Sequence, residues 1–404
     1  MLDLDYVRSH FPALHQGWTL FDNAGGSVPT RGVIDAVAEF MARWPVQVGA
    51  SYELSVQATE RLQAGHDAMA DWIGAPPGSV VLGPSTTRNL QLLATALRPL
   101  WAEGDELIVT NLDHEANIGP WRRLEATGLV LREWQVRPET ATLELEDLEP
   151  LLTERTRLVA FTHCSNVVGA PCDLQAITRR VHQAGALVCV DGVAYAPHRP
   201  LDLAAWDVDF YAFSLYKTYG PHLGLLYGKP ELLLAARGQG HFFHSEDDVP
   251  YKLEPGNPSH ELAAALPRIR DYFTTLAQRH GLGDGKEARH RLASLIQAHE
   301  EELATRLLDY LTTRPDIRII GPTSGEASHR VPTIAFVVEG RKASEIPPLL
   351  DPRRIAIRWG HFYAHRLINA LGLLEQDGVV RVSMVHYNTL DEVDRLVEVL
   401  DEVL

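Results

Sequence analysis

Between residues 79 and 228, six short apolar runs recur with helical stretches between several of them, and this alternation limits the chain to a small set of folds. The runs are SVVLG (79–83), ELIVTN (106–111), RLVAFTH (157–163), ALVCVDG (186–192), DFYAFS (209–214) and LGLLYG (223–228). Their length and β-branched content predict buried strands. Amphipathic helices are expected near 57–73 and 173–184. Strands and helices in this order predict an α/β fold with a mainly parallel sheet flanked by helices. The character changes after about residue 255. A long charged helical stretch, 286–313, precedes three further runs at 330–338, 354–359 and 379–385. A final amphipathic helix follows Thr389, a residue suited to an N-cap. Helices on a short antiparallel sheet predict a second, smaller α+β domain at the C-terminus. The expected division is an N-terminal segment, 1–20, packed on the small domain, a large domain, 21–265, and the small domain, 266–404. GLGDGK (281–286) marks a turn near that boundary.

A chain of 404 residues is long enough for two sizeable cores. Its formal charge of −16 argues against nucleic acid or an anionic membrane as a partner. An anionic cofactor needs only a local pocket. No window approaches the roughly 18–20 apolar residues of a membrane span. The start, MLDLDYVRSHFPAL, has no basic segment followed by an apolar core, so a cytoplasmic protein is expected. Cys164, Cys172 and Cys189 form no CxxC pair, and reduced, buried thiols are the plain expectation.

Neither GxGxxG nor GxxxxGK[ST] occurs. His361 and His365 lie one helical turn apart without an HExxH motif, so no metal site is expected there. The informative segment is SLYKTYGPHLGLLYG (214–228). Lys217 lies just past an apolar strand, among Ser214, Tyr216, Thr218 and Tyr219. Partial desolvation at a strand end favours the neutral amine that a Schiff base needs, and hydroxyls suit a phosphate. Alone, such a lysine is ordinarily a solvated charge. Asp191 ends a second strand and Asn166 follows a third. Ser85, Thr86 and Thr87 open a helix after a fourth, where backbone amides favour an anion. A carboxylate paired with a ring nitrogen, an amide, an amine and a phosphate cradle together suit pyridoxal 5'-phosphate.

These residues carry a resemblance that runs through nearly the whole chain. LFDNAGG (20–26), STTRN, LDHEANIGPW (112–121), HCSNVVG, VDGVAY, the Lys217 segment, RWGHFYAH and RVSMVHYNT (381–389) resemble the class V aminotransferase group of fold-type I pyridoxal-phosphate enzymes. The likeness is to the cysteine desulfurase and selenocysteine lyase branch. The resemblance implies that Lys217 holds the cofactor as a Schiff base and moves the Cα proton. It implies that Asp191 pairs with the pyridine nitrogen, His114 stacks on the ring and Asn166 meets the phenolic oxygen. Ser85, Thr86, Thr87, Ser214 and Tyr216 would surround the phosphate. Arg381 would bind the substrate carboxylate, with Arg358 nearby. EPGNPSH (254–260), containing Asn257, resembles a loop completing the phosphate site of a neighbouring subunit, which implies a homodimer.

The departures narrow the activity. Desulfurases of this kind place a persulfide-forming cysteine after an RxGHxC-like stretch, and Tyr363 stands in its position. A phenol cannot hold a persulfide. Ala194 replaces a glutamine and Tyr216 a histidine. The expectation is a lyase that eliminates a β-substituent from an amino acid, with Tyr363, His361 or His365 as acid or as pocket wall. Transamination and epimerisation by the same lysine are the alternatives, and a cofactor-binding protein without turnover is a third reading that Lys217, Asp191 and Arg381 oppose. The aromatic loop HFFHSEDDVPY (241–251) is expected to cover the site or form a dimer contact.

Overall fold

The computed structural model describes residues 1–404. A two-residue strand, β1 (Thr19–Leu20), precedes the strands of the main sheet. These are β2 (Val80–Gly83), β3 (Glu106–Thr110), β4 (Val130–Trp134), β5 (Thr156–Thr162), β6 (Leu187–Asp191), β7 (Phe210–Ser214) and β8 (Gly224–Gly228). Their order across the sheet is β2-β8-β7-β6-β5-β3-β4. From β4 to β7 all neighbours are parallel, whereas β8 runs antiparallel to both β7 and β2. All six expected strands form. The seventh, β4, was not expected, because its half-exposed edge position admits Arg132 and Glu133 and breaks the apolar run.

Alternate residues of each central strand enter different cores, as the two-residue pleat requires. Ile108, Val159, Val188, Val190, Tyr211 and Phe213 pack on one face. Leu107, Val109, Leu158, Ala160, Cys189, Phe210 and Ala212 pack on the other. Helices Glu53–Ile73 and Leu174–Gln183 contribute Met69, Ile73, Ile177 and Val181 to the first core, and helix Thr86–Leu97 contributes Leu90, Leu93 and Leu97 to the second. The parallel register aligns Thr162 with Asp191 and Asp191 with Ala212, so the C-terminal ends of β5, β6 and β7 lie side by side. Polar residues that follow these strands therefore converge.

The later strands are β9 (Ile317–Ile320), β10 (Thr333–Val338), β11 (Ile355–Ala356), β12 (Arg358–Gly360) and β13 (Val379–Ser383). Four of them make an antiparallel sheet in the order β12-β13-β10-β9. The expected single strand at 354–359 divides in two. Ile355 and Ala356 pair with β1 in parallel, and after Ile357 the chain pairs with β13 instead. Helices Gly285–Thr313 and Leu390–Val403 back this sheet through Leu303, Leu307, Leu396 and Leu400. Thr389 does cap the last helix: its hydroxyl accepts the Glu392 amide at 3.1 Å while Glu392 accepts the Thr389 amide at 3.2 Å. Val7, Phe11 and Leu14 pack with Tyr272, Leu276, Leu292 and Tyr387, which fixes the N-terminal segment against the C-terminal part of the chain. No helix is long and apolar enough to cross a membrane.

Candidate active site

The pocket lies at the C-terminal ends of β5, β6 and β7, where open α/β sheets bind ligands. Ser85, Thr86, Thr87, His114, Asn166, Asp191, Ser214, Tyr216 and Lys217 line it, together with Ala116, Thr162, Cys164, Val193 and Ala194. Nine residues selected from sequence thus meet in one cavity, although they come from separate segments between 85 and 217.

Lys217 ends a 3₁₀ turn, Leu215–Lys217, directly after β7. The preceding strand is wholly buried, so the turn delivers the lysine into the protein rather than to solvent. Burial lowers its pKa to about 8, and the positive charge of Arg381 adds to the fall while Asp191 and Asp22 oppose it. These charges act at a distance, so no carboxylate fixes the amine in its charged form. Asp191, the last residue of β6, is pushed up to about 6 by burial, although its Oδ1 accepts the Val193 amide at 2.9 Å. A ring cation brought beside it would favour the ionised form. His114 is held near 3 by burial, Lys217 and Arg381, so its ring is neutral. Its Nδ1 accepts the Ala116 amide at 3.0 Å, which leaves the proton on Nε2.

The hydroxyl-rich end has its own cause. Ser85 caps helix Thr86–Leu97, accepting the Arg88 amide at 3.2 Å. Thr86 Oγ1 and Ser214 Oγ lie 2.7 Å apart, which joins the helix start to the end of β7. Gly224 on β8 permits this closeness, because any Cβ there would strike the Ser85–Thr86 backbone. The Tyr216 ring stacks on His222 with centroids 4.5 Å apart and planes 6° apart. Amide hydrogens, the helix dipole and several hydroxyls suit a phosphate. The residues present therefore fit pyridoxal phosphate at both ends: a hydroxyl cradle at one, and Asp191 and Lys217 at the other.

A second group of residues borders the pocket. Asn166 lies in its wall, but its Nδ2 donates to the Phe362 carbonyl at 2.9 Å. Arg381 is fully buried on β13, with its guanidinium carbon 3.8 Å from the centre of the Phe362 ring. Its Nη1 donates to the Asn166 carbonyl at 3.0 Å and its Nη2 to Asp22 Oδ1 at 2.7 Å. Arg358 is the cross-strand neighbour of Arg381 and reaches Asp22 Oδ2 at 3.5 Å. Arg358, His361, Tyr363 and His365 line a shallower adjacent groove with Phe362. Tyr363 is 64% exposed, and its ring centre lies 5.2 Å from that of His114. Phe362 and Tyr363 both have positive φ, at 48° and 61°, and this sharp turn brings Tyr363 over His114. Asn257 is not in the pocket. It sits at φ 63° in a loop anchored by the buried Glu254, which accepts from the Leu82 amide at 2.6 Å and contacts His66 Nε2 at 2.9 Å.

Cys164 is among the residues of the pocket wall, but it packs inside with Ala194 and Val331, as expected. Burial pushes its pKa up to about 12, so it stays a thiol. The sequence reading missed Asp113, Asp22 and Thr162. Asp113 accepts from Thr110 Oγ1, from Asn117 Nδ2 at 2.6 Å and from the Thr162 amide at 3.1 Å. Burial raises its pKa to about 7, and the nearby charge of Asp191 adds to the rise. Its place directly before His114 was the available signal.

The family model for class V aminotransferases matches residues 19–396. An aminotransferase-like protein of Gibberella zeae is 40% identical over 99% of this chain and 98% of its own length. A cysteine desulfurase-like protein of Aspergillus flavus is 34% identical over 100% of this chain and 91% of its own length. Among solved structures, a cysteine desulfurase of Escherichia coli superposes with a TM-score of 0.84 at 29% identity, covering 100% of this chain and 98% of that one. A cysteine desulfurase of Thermococcus onnurineus gives 0.87 at 25% identity, covering 99% and 97%. The main sheet at the lysine pocket and the antiparallel C-terminal sheet are thus shared with desulfurases over full length. The chain belongs to the class V aminotransferase family of pyridoxal-phosphate enzymes, with cysteine desulfurase-like relatives.

Proposed function

We propose that this protein binds pyridoxal phosphate on Lys217 and eliminates a β-substituent, sulfur-linked or related, from an amino acid without a persulfide cysteine. The observation that carries the reading is the buried Lys217, with a pKa of about 8 and no paired carboxylate, lining one cavity with Asp191 and the Thr86–Ser214 hydroxyl pair. When bound, the cofactor supplies an electron sink that acidifies the substrate Cα–H. Ser85, Thr86, Thr87, Ser214 and Tyr216 hold the phosphate end. Asp191 would hold the ring nitrogen, the neutral His114 would cover the ring, and Asn166 would offer its amide to the phenolic oxygen in place of the Phe362 carbonyl. Lys217, largely able to lose its proton near pH 8, takes the proton from Cα. Arg381 receives the α-carboxylate.

Tyr363 supports elimination over persulfide transfer. It stands where desulfurases carry the sulfur acceptor, it is exposed, and it lies over His114. A phenol with its proton on can protonate a departing group but cannot keep the sulfur. We further propose that residues 21–265 form the cofactor domain, that 266–404 form the small domain with 1–20 packed on it, and that a homodimer brings Asn257 to the partner's phosphate. The alternatives are transamination and epimerisation, for which Lys217 would serve equally. Feeding candidate β-substituted amino acids to purified protein separates them. Pyruvate with ammonia and a released thiol or other leaving group is expected. A keto acid formed only with an amino acceptor, or loss of optical activity without net product, would overturn the lyase reading.

A further inference from the structure

Arg381 poses a problem that its surroundings half solve. A buried guanidinium without an anion is costly, whereas one with a permanent partner is closed to a ligand. Its anion is supplied by the chain itself: Asp22 Oδ1 lies 2.7 Å from Nη2. Nη1 is taken by the Asn166 carbonyl, and Nε has no partner at all. The other oxygen of Asp22 faces Arg358 at 3.5 Å. The three side chains differ sharply in exposure, at 1% for Arg381, 29% for Asp22 and 55% for Arg358. One carboxylate therefore bridges two arginines, one facing inwards and one facing solvent.

We propose that Asp22 is a built-in stand-in for the substrate carboxylate: it occupies Arg381 in the empty site and withdraws to Arg358 when a substrate carboxylate arrives. The inference rests on the reading of Arg381 as the carboxylate receptor. Three features favour an exchange over a fixed brace. Asp22 is partly exposed, so its carboxylate can be rehydrated as it moves. Gly25 leaves it room, because a Cβ there would sit 2.8 Å from Oδ2. Arg358 gives it a second cationic seat, placed beside the first by the β12–β13 register. The count of charges agrees: two cations and one anion become a neutral set when a second carboxylate enters. Asp22 thereby selects for ligands whose carboxylate outcompetes its own, and neutral amides are refused.

The test is a calorimetric titration of the cofactor-loaded protein with propionate, using propionamide as the neutral control. Asp22→Asn is expected to bind propionate about tenfold more tightly than wild type, since nothing charged must be displaced. Arg358→Ala is expected to weaken binding severalfold in the wild-type background, where Asp22 loses its second seat, and to change it little in the Asp22→Asn background. Unchanged or weaker binding in Asp22→Asn would show that Asp22 only braces Arg381. Equal weakening by Arg358→Ala in both backgrounds would show that Arg358 binds the ligand itself. Either result overturns the exchange. Melting of each variant is followed alongside, and Asp22→Ser replaces Asp22→Asn should the latter not fold. The cofactor absorbance of the same samples, and their turnover of amino acids, judge the enzymatic reading separately. If Arg381→Ala retained propionate binding, the receptor assignment itself would fail, independently of Asp22.

Discussion

Lys217 and Tyr219 are two residues apart and both are buried, yet their surroundings are opposite in kind. The Tyr219 hydroxyl donates to the Pro197 carbonyl at 3.0 Å and lies 3.0 Å from His386 Nδ1. Having donated already, it accepts from Nδ1, so His386 Nε2 accepts the Tyr272 hydroxyl at 2.7 Å. Burial keeps His386 neutral, with a pKa near 3, which agrees with that pattern. Tyr387 donates to Asn23, and Asn23 Nδ2 donates to the Ser383 carbonyl at 2.9 Å. In this junction donors meet acceptors, and the N-terminal segment, the lysine loop and the C-terminal strand are joined by it. Around Lys217 the same degree of burial leaves an amine lowered to about 8 and a carboxylate, Asp191, raised to about 6. Fully partnered polar groups hold segments together, whereas those with bonding capacity left over keep their reactivity for a ligand.

The largest expected effect removes the reactive side of this contrast. Lys217→Ala is expected to abolish the absorbance of bound cofactor and to lower turnover by at least ~10²–10⁴-fold, the scale of a lost general base. Its melting temperature without cofactor should not fall, because a desolvated buried amine is lost and no hydrogen bond is broken. An unchanged spectrum would break the cofactor assignment, and a large drop in melting temperature would place Lys217 with the structural junction.

Next comes the acid behind the pocket. The Asp113 pKa of about 7 lies above its ordinary 3.8, so the folded state keeps the proton longer than the unfolded state does. The stabilisation this gives is complete below about pH 4 and is lost as pH rises through 7. Asp191, raised to about 6, acts in the same direction and titrates together with it. The cofactor-free protein should therefore lose stability between about pH 4 and 7, on the order of a few kcal/mol. Asp113→Asn should flatten that fall without removing it, as read from melting temperature against pH. Identical slopes in the two proteins would assign the effect to Asp191 alone.

How much of this was legible beforehand depends on sequence distance. Lys217, Asp191 and Asn166 each follow an apolar run, so buried strands with polar ends announced them. The fold followed from the same runs, except β4, whose Arg132 and Glu133 disguise an edge strand, and the short β1 and β9, which were not expected either. Asp113 was hidden because nothing in its spacing says that its carboxylate turns to the Thr162 amide on β5. Asp22 was hidden more deeply, since its partners lie 336 and 359 residues further along the chain. Ion pairs across such separations are products of the folded topology and leave no local pattern.

The junction offers a smaller effect of the opposite character. Tyr272→Phe removes the hydroxyl that His386 Nε2 accepts and leaves that nitrogen buried without a donor. The expected cost is about 1–3 kcal/mol, measured by denaturant unfolding, with turnover per folded molecule nearly unchanged. A fall in turnover with stability intact would erase the distinction between the two regions.

Cys164 tests the boundary between them and should show the smallest effect. It borders the pocket, so position alone would place it with the reactive groups. Its chemistry places it with the structural ones: burial pushes its pKa up to about 12, and no base lies against it to take the proton. At neutral pH it is a thiol, and thiols neither attack nor accept sulfur at useful rates. Cys164→Ser keeps the shape and changes only that chemistry, at a cost of about 1 kcal/mol or less for a slightly more polar buried group. Release of the β-substituent, followed as pyruvate, should stay within about twofold of wild type, far inside the loss expected from a missing catalytic group. If release stopped while the cofactor absorbance persisted, Cys164 would be the sulfur acceptor that Tyr363 cannot be, and elimination without a persulfide would give way to transfer through a buried thiol.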